Sequence, residues 1–147
     1  MISESEERAL RLAAQINRLS QLLGRPYVRD HAAQVGLSLT EWRVFVRIVQ
    51  DPGTTVTRVS AATGLIAMTV SRSVAALREK DLVTGAPDPA DSRRMLLRAT
   101  PSGRACFDRF APSAAQSIGA IMGALSDDEE SRFAEMLERL IALADEL

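Results

Sequence analysis

From Ser3 to about Gly24 the apolar residues Ala9, Leu12, Ala13, Ile16, Leu19 and Leu23 recur every three or four positions, which is one stripe of an amphipathic helix. Ser3 with Glu6 three residues on predicts a capping box at its start, and Gly24 followed by Pro26 predicts its end. The stretch Arg25 to Leu37, holding Tyr27 and His31, fits either an extension of that helix or an irregular connection. Thr40 is a predicted N-cap for TEWRVFVRIVQ, in which Trp42, Phe45, Val46 and Val49 are spaced for a buried face and Asp51-Pro52-Gly53 makes the stop.

Two short helical patterns follow. Thr55 to Gly64 predicts the first, with Val56, Val59, Ser60 and Ala62 available for packing and Gly64 placed for the left-handed turn at its end. Leu65 to Asp81 predicts the second. Its buried seam is Val70, Val74 and Leu77, which leaves Met68, Arg72, Ala75 and Glu79 near the opposite face and Thr69, Ser71 and Ala76 on the flanks. Leu82 and Val83 begin an extended run broken by Gly85 and Pro87-Asp88-Pro89, and Met95 to Ala99 resumes it, so a hairpin is predicted around a loop with paired arginines. A long helix is then expected from Pro101, with Thr100 as N-cap and a kink or break near Asp108 to Ala111 ahead of Pro112. Ser126 and Glu129 form a second capping box, opening a last helix whose stripe is Phe133, Met136, Leu137, Leu140, Ile141, Ala144 and Leu147.

This element order predicts a mainly α fold with a small β-hairpin: a winged helix-turn-helix at about 37–100, between terminal helices at about 3–24 and 101–147. The length of 147 residues suits a single domain. The terminal helices carry broader apolar faces than a small winged core needs, so they are expected to bury them against one another and against a second copy of the chain, as a homodimer.

Composition changes this picture in a few places. No apolar run approaches a membrane span and MISESEER is the reverse of a signal peptide, so a cytoplasmic protein with no membrane partner is expected. The lone Cys106 cannot close an intrachain disulfide, and no Cys/His set has metal-ligand spacing. Paired carboxylates, a Ser/His/Asp order and a phosphate-binding glycine loop are also missing, so neither enzymatic activity nor a cofactor is expected. Formal net charge is -1, yet Thr54 to Arg104 holds 8 basic residues against 4 acidic ones, a local +4 that leaves -5 on the rest. A basic segment on an acidic body suits contact with phosphate, although a solvated surface shows the same count.

The second helix of the pair is more discriminating than the charge. Small side chains permit close approach to a major groove, the hydroxyls of Thr69 and Ser71 reach phosphates or base edges, and Arg72 can address a guanine. An ordinary surface helix carries more Glu and Lys, whereas Ala67 to Ala76 contains no acidic residue. A winged-helix module that contacts protein rather than DNA is the alternative, and it would favour an acidic or apolar outer face.

LSLTEWRVF, VTRVSAATGL, MTVSRSVAALREKDLV and DPADSRRMLLRATPSGR, in this order and spacing, resemble the MarR family of bacterial transcriptional regulators, with Asp91-x-Arg93 standing at its D-x-R wing motif. Asp81 departs from a usual glycine, Ser92 from a common arginine and Ala99 from a frequent leucine. The resemblance implies a dimeric repressor on pseudo-palindromic double-stranded DNA. It puts Met68, Thr69, Ser71 and Arg72 in the major groove, Arg93 in the flanking minor groove with Asp91 holding it, and Arg94 on phosphate. It also implies a small aromatic or phenolic effector, in a region drawing on Tyr27, His31 and Trp42. Some members sense oxidants through cysteine; Cys106 has no second thiol to resolve it, and a buried, inert thiol is the expectation.

Overall fold

In the computed structural model, which describes residues 1–147, five helices start on a hydroxyl side chain. Ser3 caps α1 (Glu4–Asp30), Ser38 caps α3 (Leu39–Gln50), Thr55 caps α4 (Val56–Thr63), Thr100 caps α6 (Pro101–Met122) as expected, and Ser126 caps α7 (Asp127–Asp145). Between them lie α2 (Ala32–Val35), α5 (Ala67–Glu79) and strands β1 (Val83–Pro87) and β2 (Met95–Ala99). Contacts divide the chain into two units, Met1–Pro112 and Ser113–Leu147.

The first unit is built around α3. Val44, Phe45 and Ile48 are fully buried and meet Val59 of α4, Val70, Val74 and Leu77 of α5, and Leu97 of β2 in one cluster. Burying side chains of this size stabilises by roughly 1.5–3 kcal/mol each, so this cluster fixes where α4 and α5 stand. Gly64, at φ 69°, makes the left-handed turn between those two helices. The strands pair antiparallel from Val83 opposite Ala99 to Pro87 opposite Met95, and Thr54 bridges Leu97, tying the hairpin to the start of α4.

Four expectations are corrected. The first helix does not end at Gly24; it runs through Pro26 to Asp30. Proline inside a helix costs about 3 kcal/mol, but the continuation carries Tyr27 into the core, 3% exposed and stacked on Trp42 at 4.8 Å, with its hydroxyl donating to the Leu37 carbonyl at 3.1 Å. Burial, stacking and one hydrogen bond together contribute about 3–6 kcal/mol, enough to offset the proline. Secondly, Ser38 and not Thr40 caps α3, because only Ser38 has a carboxylate at the third position: Glu41 accepts from the Ser38 N–H at 2.8 Å while Ser38 Oγ accepts from the Glu41 N–H at 3.1 Å. From Thr40 the third residue is Arg43.

Thirdly, β1 is not broken at Gly85, which pairs with Leu97 inside the ladder. A Cβ there would come within 2.3 Å of Met95 Sδ, so glycine is what lets the methionine lie across the strand. Lastly, of the kink or break expected near Asp108 to Ala111, the break is absent, since α6 is continuous from Pro101 to Met122 with Pro112 inside it. In the second unit, Ser126 and Glu129 form the expected box.

Candidate nucleic-acid interface

Helix α5 presents two unlike faces. Val70 and Leu77 are fully buried and Val74 is 6% exposed, so the seam read from the spacing is the packed side. The other side follows from helical geometry: Met68, Ser71 and Arg72 are exposed and Thr69 is half-buried, with its carbonyl accepting from Ser73 Oγ at 2.9 Å. All four predicted recognition residues therefore lie in the first two turns of one helix. Ile66, which the sequence reading passed over, precedes them at the N-cap position and is 70% exposed. The sequence carried no signal for it: by spacing Ile66 continues the seam, four residues before Val70, and only its exposure shows that it is not core.

The hairpin brings Asp91, Arg93 and Arg94 together at its tip. Arg93 Nε donates to Asp91 Oδ1 at 3.1 Å, the Arg93 backbone N–H donates to the same oxygen at 3.1 Å, and Arg94 Nε lies 3.6 Å from Asp91 Oδ2. The Arg93 side chain is nevertheless 90% exposed. The hydrogen bonds from the Arg93 side chain and backbone hold the Asp91 carboxyl below the usual carboxylate range. A carboxylate thus orients two arginines from inside the turn while leaving them open to solvent.

Two further contacts escaped the sequence reading because they join residues distant in the chain. Arg78 Nη1, at the end of α5, donates to Met95 Sδ at 3.5 Å and so links α5 to the hairpin. Arg58 on α4 pairs with Asp51 at 2.8 Å, anchoring α4 to the end of α3.

Below the hairpin, the exit from α5 is locked to the entry of α6. Asp81 takes a left-handed backbone at φ 57°. Its carbonyl accepts from Thr100 Oγ1, which in turn accepts from the Gly103 N–H at 2.9 Å, while the Thr100 N–H donates to the Leu82 carbonyl at 3.1 Å.

Residues 35–94, which contain α3, α4, α5 and the loop of the hairpin, match the MarR family. That segment is similar to the MarR family, and the match leaves the terminal helices outside it. The HTH-type transcriptional repressor NicR of Pseudomonas putida is 32% identical over 80 residues, covering 54% of this chain and 51% of that protein. The chain thus spans about half the length of the curated relative it matches. Among solved structures, the PcaV transcriptional regulator from Streptomyces coelicolor, in complex with its natural ligand, superposes with a TM-score of 0.75 at 24% identity, over 98% of this chain and 99% of that one. FabT of Streptococcus pneumoniae, in complex with DNA, gives 0.67 at 17% identity over 97% and 99%. These likenesses establish the winged-helix fold.

Asp81, which stands where the MarR pattern has a glycine, adopts the left-handed conformation that favours glycine. The three residues picked for an effector site, Tyr27, His31 and Trp42, do come together. Tyr27 and Trp42 are stacked, His31 lies 6.3 Å from the Tyr27 ring and 5.4 Å from Phe110, and Phe107 stacks on Trp42 at 6.4 Å. Burial, with smaller effects from Cys106 and Glu41, pushes the Tyr27 hydroxyl up to about 12. Burial likewise pushes the Cys106 thiol up, which lowers its thiolate fraction and its reactivity. A cleft of about 540 Å³ lies between α1 and the start of α3, lined by Gln21, Gly24, Arg25, Val28, Arg29 and Leu39, and Tyr27, His31 and Trp42 are not part of its lining.

Proposed function

We propose that the protein is a sequence-specific, double-stranded-DNA-binding transcriptional repressor, acting as a homodimer on a pseudo-palindromic operator. The observation that carries this reading is the pairing of an outer α5 face free of acidic residues from Ala67 to Ala76 with an arginine-tipped wing in one compact unit. Arg72 contacts a base edge with Met68, Thr69 and Ser71 beside it, Arg93 enters the minor groove, where a narrow A/T-rich groove concentrates negative potential, and Arg94 meets phosphate. The DNA complex of FabT, a protein of the same fold, supports the mode of contact.

Dimerisation falls to the helices at about 3–24 and 101–147. Leu12 and Ile16 on α1, and Leu140 and Ile141 on α7, are each at least half exposed in the single chain, more apolar surface than a lone soluble chain leaves in such rows. Two-fold symmetry then spaces the half-sites about one helical turn, ~10 base pairs, apart.

A small aromatic or phenolic effector is proposed at the Tyr27, His31 and Trp42 cluster. Tyr27 and Trp42 fill that space by stacking, so an entering ring displaces one of them, and fluorescence of Trp42, the only tryptophan, reports it.

The test is selection on a randomised half-site library followed by binding curves. Arg72→Ala is expected to lose discrimination at one base pair, worth roughly 1–3 kcal/mol, and Arg93→Ala to weaken binding more evenly. Unchanged sequence preference in Arg72→Ala removes that residue from the readout.

A further inference from the structure

The first turn of α5 carries side chains that polar contact with DNA does not use. Met68 is 61% exposed and Ile66 is 70% exposed, at the end of the helix where Thr69, Ser71 and Arg72 also lie. Met68 and Arg72 are four residues apart, so they stand one above the other on the same face. Ile66 occupies the N-cap and makes no side-chain capping bond, whereas Ser3, Ser38, Thr55 and Ser126 all do so for their helices. A hydroxyl at that position would stabilise the helix by about 1 kcal/mol. An apolar side chain held in water at a cost to its own helix needs an apolar contact elsewhere.

The surroundings narrow what that contact is. There is no carboxylate between Ala67 and Ala76, and Arg72 stands one helical turn from Met68 on the same face, so the occupant is anionic overall and locally apolar. In the major groove of duplex DNA one base-pair feature has that character, the C5-methyl group of thymine. Resting on the DNA-binding reading above, we infer that Met68 and Ile66 read thymine methyl groups in each half-site, beside the base edge addressed by Arg72.

The test removes the methyl from the DNA and the partner from the protein separately. Duplexes selected by the full chain are resynthesised with single thymine-to-deoxyuridine changes, which delete the methyl and leave every base pair intact. At one or two positions per half-site the change is expected to weaken binding about threefold to fivefold per methyl. Met68→Ala and Ile66→Ala should lose a similar amount on the thymine duplex and become indifferent to deoxyuridine there, and Met68→Leu should restore the preference. Circular dichroism confirms that these exposed-site variants stay folded. The inference is overturned if deoxyuridine is tolerated at every position, or if the alanine variants keep the full wild-type penalty. Failure of the wild-type chain to select any duplex would instead sink the DNA-binding reading, and this inference with it.

Discussion

Replacing Gly103 with alanine is expected to loosen the junction between the exit of α5 and the start of α6. A Cβ at this position would stand 2.0 Å from the Leu82 carbonyl oxygen, 2.9 Å from its carbon and 3.2 Å from its Cα, all backbone atoms. Ordinary contact begins near 3.4 Å, so α6 and the chain leaving α5 must part by about 1.4 Å. No side-chain rotation can absorb that. The same separation strains the Thr100 N–H bond to Leu82 and the Thr100 hydroxyl bond to Asp81. Overpacking costs about 1–3 kcal/mol and each of the two strained hydrogen bonds about 0.5–1.5 kcal/mol, which together give about 2–6 kcal/mol. At about 2–4 °C per kcal/mol for a chain of this size, melting followed by circular dichroism should fall by roughly 4–24 °C. The neighbouring exposed Ser102→Ala serves as control and should stay within about 0.5 kcal/mol. A Gly103→Ala melting point within 2 °C of wild type would show that the two segments are not held as tightly as this geometry requires.

Other outcomes follow from single contacts. Tyr27 is the only tyrosine, so tyrosinate absorbance reports it alone; its midpoint should lie near 12 in the native protein and near the ordinary 10.0 in denaturant. Because its folded pKa is raised, the native state binds the extra proton between those values, and stability that is intact below pH 10 should fall as pH rises towards 12; a native midpoint at 10 would contradict the buried, stacked placement. Gly85→Ala forces Met95 aside, and because that side chain is flexible the stability loss should stay below about 1 kcal/mol. The same change should break the Arg78 to Met95 contact and reduce DNA affinity; equal affinity would show that this contact does not position the wing.

Much of the architecture was readable where one local rule acted alone. The Val70, Val74 and Leu77 spacing fixed the buried side of α5, the Gly64 turn came from one residue's backbone freedom, and Asp91 with Arg93 lies within reach along the chain. Reading failed where tertiary packing outweighed a local signal. Gly24 and Pro26 are true helix-stop residues, overruled by Trp42, a partner 15 positions beyond Tyr27. Ser38 was a different kind of miss, because Ser38 with Glu41 three residues on is a capping box legible in the sequence, whereas Thr40 has Arg43 there. Ile66 was missed because an apolar residue in a loop looks like core, and only the accessible surface shows that it is not. The Gly103 approach to Leu82 joins chain segments 21 residues apart and leaves no pattern to read.

The ion pair at the wing tip also has a thermodynamic consequence. Counterion release on binding DNA scales with the positive charge a protein delivers to phosphate, about 0.9 ions per neutralised charge. Arg93 and Arg94 arrive with Asp91 already beside them, so the wing delivers less net charge than its two arginines suggest. Under the DNA-binding reading, the wing's share of the salt dependence is correspondingly shallow, and its hold on the minor groove weakens little as ionic strength rises. Asp91 thereby exchanges raw attraction for steadiness, suiting the wing to sorting among groove shapes more than to clinging to any duplex it meets.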